Sequence, residues 1–135
     1  MPLPNNNLYP HFNISRLSHI ELGVRDLSAS FAFYVEILGL QVTDQNSNFI
    51  YLRGMEERGH HSVILKKSNI SSCNVLGYKV FDEEQLDKAE FYFKSKEIST
   101  SWIERPYQGK TLLTTDTHDN SQLHGLKGPI RERHF

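Results

Sequence analysis

Apolar and polar residues alternate from residue 17 to residue 24, where His19 and Glu21 interrupt an apolar series. This period of two predicts a strand whose core-facing side chains are Ile20, Leu22 and Val24. From Leu27 to Leu38 the apolar residues recur every three or four positions, which predicts a helix. Asp26 suits its N-cap and Gly39 suits a left-handed C-terminal cap. Extended runs follow at residues 40–43, 49–54 and 61–67.

The same order of patterns occurs again in the second half of the chain. Residues 75–81 (VLGYKVF) are typical of a strand, and Asp82 precedes a helical pattern over residues 83–97. Three short extended runs follow, STSWIER, KTLLTTD and QLHGLKG. A repeated order of elements indicates a repeated structural unit, here β-α-β-β-β.

The predicted fold class is therefore α+β. Two paired βαβββ modules form a cup-shaped mixed sheet with the two helices outside and a polar face inside. We expect module 1 at about residues 16–67 and module 2 at about residues 75–128, within one domain of residues 16–128. A flexible N-terminal arm (residues 1–15) precedes this domain, and a charged tail (residues 129–135) follows it.

Composition limits the classes of partner. Lysine and arginine number 15 and aspartate and glutamate 16, so the net charge of -1 predicts neither nucleic-acid nor membrane binding. The single cysteine, Cys73, cannot form an internal disulfide, which favours a reducing compartment. The apolar runs are too short to span a bilayer, and MPLPNNNLYP lacks the features of a secretory signal. We expect a cytoplasmic protein.

Several segments resemble the vicinal oxygen chelate superfamily of glyoxalases, bleomycin-resistance proteins and extradiol dioxygenases. These segments are LSHIELGVRDL, FYVEILGLQV, IYLRG and HHSVIL. Together with DEEQLDKAEFYFKSKEI, they are most similar to the amino-terminal half of homoprotocatechuate and catechol 2,3-dioxygenases. The resemblance implies a cup that holds a divalent metal, with Fe(II), two histidines and one carboxylate in the dioxygenases. It also implies a small, catechol-like aromatic substrate.

The resemblance assigns metal-ligand positions that this chain fills only in part. His19 matches the first histidine ligand, Val75 falls at the second, and His124 falls at the carboxylate. Ile64 falls at the additional glutamate of the glyoxalase type. Valine and isoleucine offer no lone pair to a metal, so His19 and His124 are the metal-ligand candidates. Fe(II) is expected for the family. Two neutral imidazoles do not form the charge-balanced site of Fe(II) oxygen chemistry, so we expect this chain by itself to hold Zn²⁺ or Ni²⁺ weakly or to bind no metal.

Two adjacent histidines, His60 and His61, are candidates for acid–base catalysis because the imidazole pKa is near neutral. Neighbours on a strand point to opposite faces, so we do not expect them to chelate one ion together. The alternative for this pair is a polar strand end or a domain contact. For His19 the alternative is a hydrogen-bonded side chain on a partly solvated cup face.

Three hypotheses of function remain open. The first is the non-catalytic amino-terminal domain of an extradiol ring-cleavage dioxygenase. The second is a stand-alone glyoxalase-type metalloenzyme, a lyase or isomerase. The third is a metal-free binding module of the bleomycin-resistance type. Each leaves apolar surface unpartnered in a half-length chain, so we expect a homodimer or pairing with a catalytic second half.

Overall fold

The computed structural model describes residues 3, 5–6, 8–115 and 123–127, so the predicted tail at residues 129–135 lies outside the described residues. The helices are α1 (Leu27–Phe31), which continues as a π-helical segment (Ala32–Ile37), and α2 (Glu83–Ser95). The strands are β1 (Ile14–Val24), β2 (Gln41–Gln45), β3 (Phe49–Arg53), β4 (Val63–Lys67), β5 (Ser72–Val80), β6 (Thr100–Arg105), β7 (Gly109–Thr115) and β8 (Leu123–Lys127). The predicted α+β class and the repeated β-α-β-β-β order are confirmed.

The described strands form one mixed sheet in the order β2-β3-β4-β1-β5-β8-β7-β6. The first strands of the two modules, β1 and β5, lie side by side at its centre and run antiparallel. Each of them pairs in parallel with the last strand of its own module, β1 with β4 and β5 with β8. The sheet is therefore continuous from one module into the other.

The first helix begins and ends where the sequence predicts. The Ala29 amide donates to the Asp26 carboxylate at 3.1 Å, and Gly39 takes a left-handed φ of +80° directly after the helix. The helical turns widen in its second half, where the Leu38 amide donates to the Phe33 carbonyl, five residues back, at 3.0 Å. The apolar period of this segment predicts the helical face but does not reveal the wider turn.

The second helix follows the same plan. The Gln85 amide donates to the Asp82 carboxylate at 3.1 Å, and Glu83 and Glu84 occupy the first turn, where the helix dipole favours acids. The helix buries Leu86 and Ala89 against the sheet. Among the described residues, no helix is long and apolar enough to cross a membrane.

Two apolar clusters lie between the sheet and the helices, one in each module. The module 1 cluster centres on Ile50, Leu52 and Leu65, and α1 and the π-helical segment pack on it. The module 2 cluster is formed by Val80, Leu86, Ala89 and Leu112. The opposite face of the sheet is thus left to line the cup.

The segment before the domain also contacts the fold. β1 begins at Ile14, two residues before the predicted start of the domain, and the Ser15 hydroxyl donates to the Lys79 carbonyl at 2.9 Å. Phe12 meets Phe93 of α2 edge to face, with 5.4 Å between the ring centroids.

Candidate functional site

The polar side of β1 is more buried than its apolar side. His19 and Glu21 are only 3% and 6% exposed, whereas Ile20, Leu22 and Val24 are half-buried. The expectation of a partly solvated cup face at His19 is therefore wrong. The reason is tertiary: other side chains fill the cup over this face, and helix α1 covers the other face only in part.

His19 lies directly across β5. Its residue in register on that strand is Gly77, and a Cβ atom built at position 77 would fall on the imidazole ring of His19. A glycine at this position thus provides the space in which the imidazole lies. On the other side, the His19 ring meets the His61 ring edge to face at 5.2 Å between centroids.

His60 and His61 lie before β4, in the connection from β3, and not on a strand. The alternation of a strand does not apply there, and the expectation that they point to opposite faces is wrong. Their rings share one cluster, with 5.2 Å between centroids and 2.9 Å from Nδ1 to Nδ1. Both side chains are buried, at 9% and 5% exposure. Their predicted role in acid–base catalysis stays a prediction.

The turn between β6 and β7, in module 2, crosses to these histidines. The Tyr107 ring stacks on His60 at 3.7 Å between centroids and 12° between planes, and its hydroxyl donates to Asp44 on β2. Tyr107 has a φ of +64°, a left-handed conformation that is unusual for a bulky residue. Its neighbour Gln108 places Nε2 3.4 Å from His61 Nε2. Tyr107 and Gln108 are site residues that no sequence pattern predicts. The neighbouring Gly109 is typical of a turn but does not indicate a contact with the histidines.

An ion pair joins the modules beside the turn. Arg105 at the end of β6 donates from Nη1 to Glu21 Oε1 at 3.4 Å. Glu21 is the more buried partner, so its carboxylate depends on this guanidinium for compensation of its charge. Sequence patterns gave no signal for this pairing, because the two residues are 84 positions apart.

Tyr51 of β3 contacts the histidine rings and also lies near the charged side chains of Glu21, Asp44 and Arg105. Its ring meets those of His61 and Tyr107 edge to face, at 5.1 Å and 5.2 Å between centroids. Burial raises the pKa of Tyr51, and the carboxylates of Glu21 and Asp44 raise it further, while Arg105 acts in the opposite direction. Tyr51 therefore stays a neutral phenol at ordinary pH. We call the set of His19, Glu21, Tyr51, His60, His61, Arg105, Tyr107 and Gln108 the cup cluster.

The strand register tests the metal positions that the family implies. Tyr51, Ile64, Glu21 and Val75 pair across four neighbouring strands, so the apolar Ile64 and Val75 flank Glu21. Both are buried, and the space opposite His19 at Gly77 holds the imidazole itself. In the described part of the chain, no three histidine, cysteine or acidic side chains are grouped to hold a metal ion. These residues do not fit an iron site with two histidines and a carboxylate.

The other predicted metal ligand, His124, lies on β8. Its backbone is in register with Leu76 and Thr114, one position away from the Gly77 that lies opposite His19. Its side chain lies outside the described residues, and its role as a metal ligand stays a prediction.

Comparison with known proteins identifies the family of this fold. Residues 16–111 match the model of the Glyoxalase/Bleomycin resistance protein/Dioxygenase superfamily, and the chain belongs to this superfamily. A metapyrocatechase of Geobacillus stearothermophilus is 26% identical over 115 residues, which are 84% of this chain and 35% of that protein. A manganese-dependent 2,3-dihydroxybiphenyl 1,2-dioxygenase of Geobacillus genomosp. 3 is 26% identical over 73% of this chain and 32% of its own length.

Solved structures give the same result. Homoprotocatechuate 2,3-dioxygenase of Brevibacterium fuscum superposes with a TM-score of 0.84 and 29% identity, over 95% of this chain and 36% of that one. The enzyme of the same name from Arthrobacter globiformis is 28% identical, again with a TM-score of 0.84, and 40% of its chain is covered. This chain spans about a third of its relatives and corresponds to their N-terminal part. The resemblance to extradiol dioxygenases is thus confirmed.

Proposed function

We propose that this chain acts as a non-catalytic amino-terminal module of an extradiol-dioxygenase-type protein. In this role it supports a catalytic module that supplies the Fe(II) or related divalent metal and binds a small catechol-like substrate. The similarity to the N-terminal third of several dioxygenases supports the proposal. A glyoxalase-type enzyme is less favoured, because the resemblance assigns Ile64, a buried apolar residue, to the position of that type's additional glutamate.

One observation carries the proposal: side chains of the chain itself fill the cup around His19, the first iron-ligand position that the resemblance implies. His19 fills the space over Gly77, and Tyr107 and Gln108 cover His60 and His61. The cup cluster then serves to fix the two modules to each other. Its contacts contribute to folding and leave the oxidative chemistry to another module.

The partner in this role is a second copy of the chain or a catalytic second half. Exposed apolar side chains on the outer helical surface of module 1 provide a contact surface, and they include Phe33, Ile37 and Leu38. The cytoplasmic location expected from the sequence is consistent with this role and stays a prediction.

Metal analysis together with a catechol ring-cleavage assay tests the proposal. We expect the purified chain, incubated with Fe(II) or Mn(II) and desalted, to retain neither metal in stoichiometric amount and to form no yellow ring-cleavage product. The metapyrocatechase relative, treated in the same way, is the positive control. Retained iron or manganese that is lost in His19→Ala would contradict the proposal and favour a stand-alone metalloenzyme. Ring cleavage by the chain alone would also overturn it.

A further inference from the structure

We propose that His60 and His61 form a two-nitrogen chelate for a late divalent transition metal that prefers square-planar or octahedral coordination, Cu²⁺ or Ni²⁺. This site uses other residues than the iron position that the family implies, and it lies beside His19 of that position. It is built by the β3–β4 connection of module 1 and the β6–β7 turn of module 2, and it does not depend on the proposed function.

The distance between the two donor atoms determines which coordination geometry the pair of histidines fits. The Nδ1 atoms of His60 and His61 face each other at 2.9 Å. With metal–nitrogen bonds of about 2.0–2.1 Å, this separation gives an angle of about 90° at the metal. A tetrahedral ion needs about 3.3 Å between the same atoms. The pair therefore fits two adjacent positions of a square-planar or octahedral ion, the geometry of Cu²⁺ and Ni²⁺.

The Gln108 amide contributes to the choice of which ring nitrogen of His61 bears the proton. Its amide lies 3.4 Å from His61 Nε2, and rotation of the amide exchanges its nitrogen and oxygen. In one arrangement the amide donates to Nε2, and the Nδ1 proton of His61 bonds to Nδ1 of His60. In the other arrangement the amide oxygen accepts from Nε2–H, and both Nδ1 lone pairs point toward the ion. The second is the usual support of a metal-bound histidine.

Aromatic contacts hold the two rings in place. Tyr107 stacks on His60, and Tyr51 meets both imidazoles edge to face, at 5.8 Å from His60 and 5.1 Å from His61. The chelate is thus preorganised, which lowers the entropy cost of binding an ion. Tyr107 is 38% exposed, so the side of the site that it covers is also the side nearest to solvent. Water supplies the remaining ligands, and we expect Cu²⁺ to bind more tightly than Ni²⁺ or Zn²⁺.

Copper titration with pulsed electron paramagnetic resonance tests the site in the whole chain. We expect one equivalent of Cu²⁺ with two equatorial imidazoles, counted from the remote-nitrogen modulation. His60→Gln and His61→Gln should each leave one imidazole and weaken binding about tenfold or more, and Gln108→Ala should weaken it about tenfold. His11→Gln, at an exposed histidine that stacks on Tyr92, is the matched control and should change nothing.

Binding with one imidazole or none would overturn the proposal, as would undiminished binding in both histidine variants. Circular dichroism first confirms that each variant is folded. If a histidine variant does not fold, Gln108→Ala, which keeps both imidazoles, provides the second test, and undiminished copper binding in it would overturn the proposal. Neither result depends on the iron and ring-cleavage assays, so this proposal and the proposed function can fail separately.

Discussion

At the scale of single residues, the absence of a Cβ atom in glycine at position 77 determines where the His19 side chain lies. His19 stands out in the sequence because of its alternating context, whereas no sequence pattern marks Gly77. The register between β1 and β5 brings the two together, and the imidazole occupies the space that a Cβ at position 77 would need. Small and large residues thus fit each other across the centre of the sheet.

We expect Gly77→Ala to lower the free energy of unfolding by about 1–3 kcal/mol, because the new methyl group displaces the buried imidazole. His19→Ala removes the imidazole and with it the steric conflict. Gly77→Ala should therefore lower the free energy of unfolding much less in the His19→Ala background than in the unmodified chain. Urea unfolding of the four proteins in this cycle measures the coupling.

Gly59→Ala is the matched control for this cycle. A Cβ at position 59 meets nothing within 4 Å, so the unfolding free energy should change by less than about 0.5 kcal/mol. Equal costs of Gly77→Ala with and without His19 would show that the two residues do not compete for the same space.

At the scale of secondary structure elements, both helices are followed by a residue in the left-handed conformation, but only one of these residues is a glycine. Gly39 follows the helical segment of module 1 at a φ of +80°, whereas Glu97 takes a φ of +58° after α2. The Ile98 amide then bonds to the Phe93 carbonyl at 2.9 Å, the pattern of a left-handed helix cap. The sequence predicted the first of these caps from its glycine and carried no comparable signal for the second.

These two caps should respond to substitution with opposite signs. Gly39→Ala should lower the free energy of unfolding by about 1 kcal/mol, because a Cβ disfavours the left-handed conformation and nothing nearby compensates it. Glu97→Gly should raise it by about 0.5–1 kcal/mol, because glycine adopts that conformation without strain. Thermal and urea unfolding check both values, and a loss of stability in Glu97→Gly would contradict the argument.

At the scale of the whole molecule, contacts distant in sequence join module 1 to module 2. Arg105 reaches Glu21, and Tyr107 bonds to Asp44, so the β6–β7 turn fixes its module against β1 and β2 of the other. Tyr51 is surrounded by these groups, and its pKa is raised by burial and by the carboxylates of both strands. Both carboxylates belong to module 1 together with Tyr51, and Arg105 of module 2 lowers the pKa.

The stability of the protein should fall at alkaline pH because of Tyr51. A folded-state pKa above the unfolded value of 10.0 means that the folded protein holds this proton more tightly. The resulting stabilisation is fully present below about pH 10 and is lost as the pH rises through the higher folded-state pKa. Urea unfolding from pH 8 to pH 12 should show a smaller decrease for Tyr51→Phe than for the unmodified chain.

Tyr9→Phe, at an exposed tyrosine, is the control and should keep the full decrease. Identical profiles for the unmodified chain and Tyr51→Phe would show that the phenol is not held neutral by the cup cluster.

The sequence by itself determined the elements and their order. The strand and helix periods of its apolar residues depend only on neighbours a few positions away. The same holds for the helix caps at Asp26, Gly39 and Asp82, so local physics suffices to interpret them. The repeat of β-α-β-β-β then predicted the fold, and the segment HHSVIL with its neighbours pointed to the family.

Only the tertiary structure determines which residues come together in the cup. Alternation predicts which face of a strand a residue occupies, but it does not apply to His60 and His61, which lie outside the strand, or to Tyr107 in a left-handed turn. Nor does it predict that the polar face of β1 is covered, because the covering groups come from residues up to 84 positions away. These long-range contacts bury His19 over Gly77, and its role as a metal ligand stays a prediction.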